Sequence, residues 1–275
     1  MERMKESTET IKTHYDSEPV YEWERTHDNT IEYIITAKML GRYIKPGEKV
    51  LDIGGGPGRY STWLAGMGCD VTLFDLSEGN IKFAKAKAKE LDIKLETICG
   101  NALDESLYPE ETYDHILVMG PMYHLFSEPD RRRVIDNALL HLKENGKIYI
   151  AFINLFAGVL YYLDEYKAGF SQQLEVDPSY GTCLTENTGW NGMAFTEARF
   201  EALPEIKRFC NSFGLKQLKL FGQEGFLGTY VSQMDTLEEP HRSLWIDYAY
   251  RMCDMEDYLI MSAHIMYIGE KQRKA

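Results

Sequence analysis

The stretch Lys49-Val-Leu-Asp-Ile-Gly-Gly-Gly-Pro-Gly-Arg-Tyr60 constrains this chain more than any other. Val50, Leu51 and Ile53 form a short apolar run rich in β-branched residues, which suits a strand buried on both faces of a parallel sheet. Gly54, Gly55 and Gly56 then remove every side chain where the chain must turn. Glycine serves both φ > 0 and the close approach of backbone to a ligand. Beyond Pro57-Gly58, the residues Tyr60, Trp63, Leu64 and Met67 share one apolar helical face. The unit reads as strand, glycine turn and helix, the form of a nucleotide-type binding turn.

Spacing narrows the ligand. A dinucleotide fingerprint needs a third glycine where Arg59 stands, and no Gly-x-x-x-x-Gly-Lys-Ser/Thr phosphate loop is present. The spacing that fits is Gly-x-Gly-x-Gly at Gly54, Gly56 and Gly58, preceded by Asp52. Here the chain resembles the class I S-adenosylmethionine (SAM) dependent methyltransferases, whose first motif looks like Val-Leu-Asp-Ile-Gly-x-Gly-x-Gly. The resemblance implies an α/β fold: a seven-stranded, mostly parallel Rossmann-like sheet with helices on both faces. It also implies SAM as methyl donor and S-adenosylhomocysteine (SAH) as product, with Asp52, Gly54, Gly55, Gly56, Gly58 and Arg59 around the cofactor. SAM has no pyrophosphate and carries a cationic sulfonium, so an acid beside the turn is electrostatically compatible.

The second strand, Asp70 to Asp75, ends in an acid 21 positions after Gly54. That is near the roughly 20-residue interval at which a carboxylate reaches ribose hydroxyls. Asp75, with Leu76 beside it, is therefore expected at the ribose; the plainer alternative is that Asp75-Leu76-Ser77 only caps the next helix. Related enzymes often carry Gly-Asp-Ala where this chain has Gly100-Asn101-Ala102, which places Asn101 and Ala102 at the adenine. A fourth strand, Tyr113 to Met119, ends at Gly120-Pro-Met-Tyr-His-Leu125, the position expected to face the transferable methyl, with Met119 at the cofactor. The Asn/Asp-Pro-Pro-Tyr of enzymes that methylate planar amino groups is not matched, since Gly120 and Met122 replace two of its residues. A hydroxyl or ammonium acceptor needs a base, and His124 is the candidate, with Tyr123 orienting the acceptor or lining the methyl site; the plainer alternative for His124 is a helix-flanking histidine satisfied by backbone. His264 reads as structural.

The formal net charge of −13 disfavours a nucleic-acid partner. The basic clusters Arg131-Arg-Arg133 and Lys271 to Lys274 are small, the first expected to decorate a helix and the second a solvated tail. No apolar run approaches a membrane span, and the first residues carry no signal-peptide apolar region. Five cysteines without a Cys-x-x-Cys pair read as reduced thiols in a cytoplasmic protein, and no cluster has metal-ligand spacing. The expected partner is a small-molecule acceptor, with the chain a monomer or homodimer. A non-catalytic SAM-binding protein and an RNA or protein methyltransferase are the alternatives; a dehydrogenase ranks behind them because of Arg59.

Four segments are expected. Residues 1–45 form a helical cap, with Tyr15 and Trp23 as lid candidates and an amphipathic helix from Asn29 to Ile44. Residues 46–153 alternate strand and helix and form the SAM-binding core. Residues 154–195 are aromatic and glycine-rich and read as a lid insertion. Residues 196–275 complete the core with a helix over Thr196 to Phe213, a sixth strand from Leu215, an insertion at 222–257 and a last strand from Tyr258 to Ile268.

Overall fold

The structure is a computed structural model that describes residues 2–25 and 30–273, with the side chains of residues 2–7 left aside. The expected helix start at Asn29 and the end of the basic tail at Lys274 lie outside the described residues.

The cap consists of α1 (Glu2–Ser17), α2 (Pro19–Arg25) and α3 (Ile31–Tyr43). Thr30 caps α3 by accepting the Tyr33 N–H. Strand–helix alternation follows: β1 (Lys49–Ile53), α4 (Arg59–Gly66), β2 (Asp70–Asp75), α5 (Glu78–Glu90), β3 (Glu96–Cys99), β4 (Tyr113–Val118), α6 (Glu128–Leu140) and β5 (Leu142–Asn154). The order across the sheet is β3-β2-β1-β4-β5, all parallel, so chain direction across the sheet reverses between β1 and β4. Ligands bind open α/β sheets at such a switch point, outside the carboxyl ends of the strands. Three further helices, α7 (Ala157–Asp164), α8 (Gly169–Val176) and α9 (Pro178–Glu186), lead to the strands β6 (Trp190–Met193) and β7 (Glu197–Glu201). Then come α10 (Leu203–Asn211), β8 (Lys216–Gly222), α11 (Val231–Met234), α12 (His241–Met252) and β9 (His264–Glu270). β9 runs antiparallel between β5 and β8.

Both sheet faces are covered. One carries Ile35, Leu40 and Leu64 of α3 and α4 with Ile246 and Ala249 of α12. The other carries Val134, Ile135 and Ala138 of α6 with Ile206 and Phe209 of α10. Val50, Leu51 and Ile53 are fully buried between these layers, as a strand covered on both faces requires.

Four sequence expectations need correction. The sheet has nine strands, not seven. β1 to β5 with β8 and β9 make the expected seven, and the β6–β7 hairpin adds two by pairing β7 with Ile153 and Asn154 at the end of the long β5. The helix expected from Thr196 begins only at Leu203, because Ala198 and Phe200 are buried while Glu197 and Arg199 are less so. That period-two alternation makes a strand, and Pro204 in the first helical turn sets the start of α10. The last strand likewise starts at His264, because residues Glu256–Met261 form 3₁₀ turns. The lid segment 154–195 is mostly helical, folded around buried Tyr180 and Trp190. Arg131, expected on the surface, is buried: its guanidinium donates to the Leu125 and Phe126 carbonyls and pairs with Glu201 at 3.3 Å. It thereby ties the loop after β4 to β7.

Candidate functional site

One cleft of ≈ 200 Å³ runs along the carboxyl ends of β1, β2 and β4. Its walls include Asp52, Gly54, Gly55, Gly56, Arg59, Asp75, Leu76, Asn101, Ala102, Met119, Tyr123, His124 and Tyr15. All but one of the residues expected at the cofactor or the methyl thus share one surface. The exception is Gly58.

The glycine bend is built by contact. Gly54 has φ +70°, and a Cβ there would lie 2.5 Å from Pro121 Cδ. A Cβ on Gly120 would lie 2.5 Å from the Gly54 carbonyl oxygen, so the turns after β1 and β4 meet backbone to backbone. This is why glycine stands at 120. Gly56, at φ +59°, donates its N–H to Asp75 Oδ2 at 2.8 Å. Gly58 lies outside the cleft: its missing Cβ would meet Ala84 Cβ at 3.2 Å and Leu73 Cδ2 at 3.3 Å. Its missing side chain lets α4 pack closely on α5 and β2.

Two acids form the floor. Asp52 accepts the Ser61 hydroxyl at 2.7 Å through Oδ2, while its buried Oδ1 meets no donor among the described residues. Burial, opposed by Ser61 and assisted by the negative charge of Asp75, pushes its carboxyl up to about 6. Asp75 is raised by burial too, against the N–H groups of Ser77 and Gly56 and the Asn80 amide that bond it. Asp75 organises the turn into α5 and also lines the cleft. Asn101 uses its side-chain oxygen on the Leu103 N–H at 3.0 Å, an Asx turn at the cleft wall.

The helical cap closes the cleft from above. Asp16 at the end of α1 accepts from Ser77 Oγ at 2.6 Å and from the Gly79 N–H at 3.0 Å, at the N-terminus of α5. The Arg59 guanidinium lies 3.7 Å from the centre of the Trp23 ring and donates to the Trp23 carbonyl at 2.6 Å. His124 donates from Nδ1 to the Glu197 carbonyl, so its Nε2 accepts the Tyr15 hydroxyl; both distances are 2.9 Å. Burial, chiefly, lowers His124 to about 4. His124 is thus a neutral ring whose lone pair is occupied by the cap, which places it as an anchor of Tyr15 in this arrangement.

At the end of the cleft beside Tyr123, ionisable residues gather that the sequence did not single out. Glu22, Arg25 and Glu32 of the cap line it, and Arg25 bonds Glu22 at 3.0 Å. Behind Glu32 and Tyr123 stands His264. Its Nδ1 is 2.7 Å from Glu224 Oε1 and 3.9 Å from Glu32 Oε2, and its ring centre is 5.8 Å from that of Tyr123. Glu224 is itself fixed by Ser262 Oγ and by the His264 backbone N–H at 3.0 Å. No metal-ligand spacing exists in the sequence, yet folding brings ligand atoms of Glu32, Glu224 and His264 within 4.8 Å of one another. They come from three distant elements, and no local pattern could have signalled them.

Residues 50–146 match the family described as a methyltransferase domain. Over 125 residues the chain is 32% identical to the ubiquinone biosynthesis O-methyltransferase of Rickettsia canadensis, covering 45% of this chain and 50% of that one. The chain spans about half the length of the curated relatives it matches. Among solved structures it is similar to the magnesium protoporphyrin IX methyltransferase of Synechocystis PCC 6803 with bound SAH. The TM-score is 0.58 at 14% identity, covering 97% of this chain and 100% of that one. An N-methyltransferase of Bradyrhizobium japonicum WM9 in complex with SAH gives 0.53 at 13% identity and 90% of each chain. At these identities the likeness establishes the fold.

Proposed function

We propose that the chain, whose residues 50–146 match a methyltransferase-domain family, is a class I enzyme that transfers the SAM methyl group to a small-molecule acceptor. One observation supports this above the others: the glycine bend, the two acids and the loop after β4 share one cleft beneath the cap. The donor set suits the ligand. The orphaned Asp52 Oδ1 offers a buried anionic acceptor to a cationic molecule, and the bend at Gly54 to Gly56 admits a ligand close to backbone. Asp75 would take the ribose hydroxyls, Asn101 and Ala102 the adenine, and Met119 the far side of the adenosyl group. SAM supplies an electrophilic methyl on sulfur; the protein's share is to orient the acceptor in line with it and to exclude water. The cap residues Tyr15, Trp23 and Asp16 provide that exclusion, and the cleft beside Tyr123 would receive the acceptor. The acidity of the chain and the enclosed cleft favour a small molecule over a nucleic acid.

Native mass spectrometry of the purified protein should find SAM or SAH carried through purification, and calorimetry should give heat with SAH. Heat with NADH and none with SAM or SAH would overturn the reading. Binding without methyl-label transfer to any acceptor would favour the non-catalytic SAM-binding alternative.

A further inference from the structure

His264, Glu224 and Glu32 take no part in the cofactor contacts above, yet hydrogen bonds hold His264 and Glu224 firmly together beside Glu32. The Glu224 carboxylate accepts three protein donors: Nδ1–H of His264 at 2.7 Å, the His264 backbone N–H at 3.0 Å, and the Ser262 hydroxyl. Ser262 is held in turn by the Glu224 N–H at 3.0 Å, and a Cβ on Gly222 would lie 2.5 Å from its Cβ. Such a lock fixes the imidazole tautomer. With Nδ1 carrying the proton toward Glu224, the basic lone pair is on Nε2, which has no hydrogen-bond partner among the described residues. The His264 side chain keeps 20% of its surface accessible. A carboxylate holding Nδ1 so that Nε2 can take a proton is the logic of catalytic triads.

Position agrees with chemistry. β9 pairs His264 with Ile153 near the carboxyl end of β5, the same edge of the sheet that carries the loop after β4. Tyr123 and Glu32, which face His264, both line the cleft. His124, by contrast, has its Nε2 taken by Tyr15.

Building on the methyltransferase reading, we infer that His264 is the general base of the reaction, Glu224 its positioning residue, and the acceptor a neutral hydroxyl or an ammonium group. In the step, the acceptor proton passes to His264 Nε2 and the freed lone pair attacks the methyl carbon. The carbon–sulfur bond breaks with its electrons on sulfur, giving SAH and an imidazolium that later releases its proton to solvent. The facing charges select the acceptor. Among the described residues, the charges acting on His264 are Glu32 of α3 and Glu224 against Arg25 of α2, so an acceptor that is already anionic, a carboxylate or thiolate, meets repulsion beside it. Burial works against charge on His264, but Glu32 and Glu224 prevail over burial and over Arg25, raising it above the ordinary histidine value. A base so raised is better matched to a hydroxyl or ammonium proton.

The test uses full-length protein, tritiated SAM, and matched panels of phenols, primary amines, thiols and carboxylic acids. Transfer to phenols or amines is expected. His264→Asn should lower kcat/KM by about 10²–10⁴-fold, the usual contribution of a general base, with SAH affinity within twofold of wild type. Glu224→Gln should shift the acid limb of the kcat/KM pH profile to lower pH, which a merely structural loss would not do. Should His264→Asn not fold, the ¹⁵N-histidine spectrum of the wild type decides instead: His264 Nε2 must titrate above pH 6.5 with Nδ1 protonated. Transfer confined to thiols or carboxylic acids, full activity in His264→Asn, an unmoved profile in Glu224→Gln, or an Nε2 that does not titrate would each overturn the inference. Failure of SAH to bind the wild type would instead fault the methyltransferase reading itself.

Discussion

Asp52 is a place where stability and ligand binding oppose each other, and Asp52→Asn separates them. Burial raises the carboxyl from an ordinary 3.8 to about 6. A folded value above the unfolded one means that ionisation costs the folded state. The cost is complete above pH 6 and absent below about pH 4. Stability of the ligand-free wild type therefore falls as pH rises through that window. About two units at 1.36 kcal/mol per unit is ~3 kcal/mol. Asparagine removes the charge and keeps an oxygen for the Ser61 hydroxyl, but it introduces an NH₂ that needs a partner, a cost of about 1 kcal/mol or more. The expected net gain is roughly 1–2 kcal/mol at pH 7.5. Urea denaturation followed by tryptophan fluorescence should show the variant more stable at pH 7.5, with the difference gone or reversed at pH 4.5. The same substitution should weaken SAM by about tenfold or more, or 1.4 kcal/mol, because the cation loses its buried counter-charge. A stability difference independent of pH, or unchanged SAM affinity in the variant, would refute the reasoning.

Gly54→Ala puts a Cβ at φ +70° and 2.5 Å from Pro121 Cδ. It should cost about 1–2 kcal/mol in backbone strain alone and abolish SAH heat in calorimetry. Asp16→Ala removes the acceptor of Ser77 Oγ and Gly79 N–H and should cost about 1 kcal/mol, as lost N-caps do, with limited proteolysis cutting first near the α1–α2 junction. Burial opposes the Asp16 charge, but the Gly79 N–H, Lys12 and Ser77 outweigh it and bring the carboxyl down to about 2. Its stabilisation is therefore present above pH 4 and fades as pH falls from about 4 to 2, where wild type and Asp16→Ala should converge in thermal melts. Leu117→Ala, in the fully buried middle of β4, should cost 2–5 kcal/mol in urea.

How much was legible follows from how local each cause is. The run Val50 to Ile53, the glycine bend and Asp75 lie within one β–α–β unit, and their meaning depends on neighbours a few positions away. The residues expected at the cofactor therefore line one cleft, Gly58 apart. Gly58 satisfied the same spacing but answers to α5, and the sequence cannot say which side of a turn a missing Cβ faces. The strand at Glu197 to Glu201 was mistaken for helix because five residues with Arg and Glu at alternate positions carry little hydrophobic signal. Only pairing with Trp190 to Met193 and with the end of β5 decides their conformation. Arg131 looked like a solvated charge because its partners, the Leu125 and Phe126 carbonyls and Glu201, exist only after folding.

The acceptor side resisted for a further reason, and it bears on how such proteins diverge. The turns after β1 and β4 touch at Gly54 and Gly120, so the loop after β4 is held by the same contact that shapes the glycine bend. A family motif with Asn or Asp at position 120 would drive a side chain against the Gly54 carbonyl. This chain could not carry that polar group on the loop. Ionisable groups instead gather across the cleft, with Glu32 on the cap and Glu224 and His264 beside the end of β5. If so, Gly120→Asn should disturb SAH binding as strongly as Gly54→Ala, whereas His264→Asn should leave it intact. Equal losses of SAH affinity in Gly120→Asn and His264→Asn would show that the two sides of the cleft are not independent.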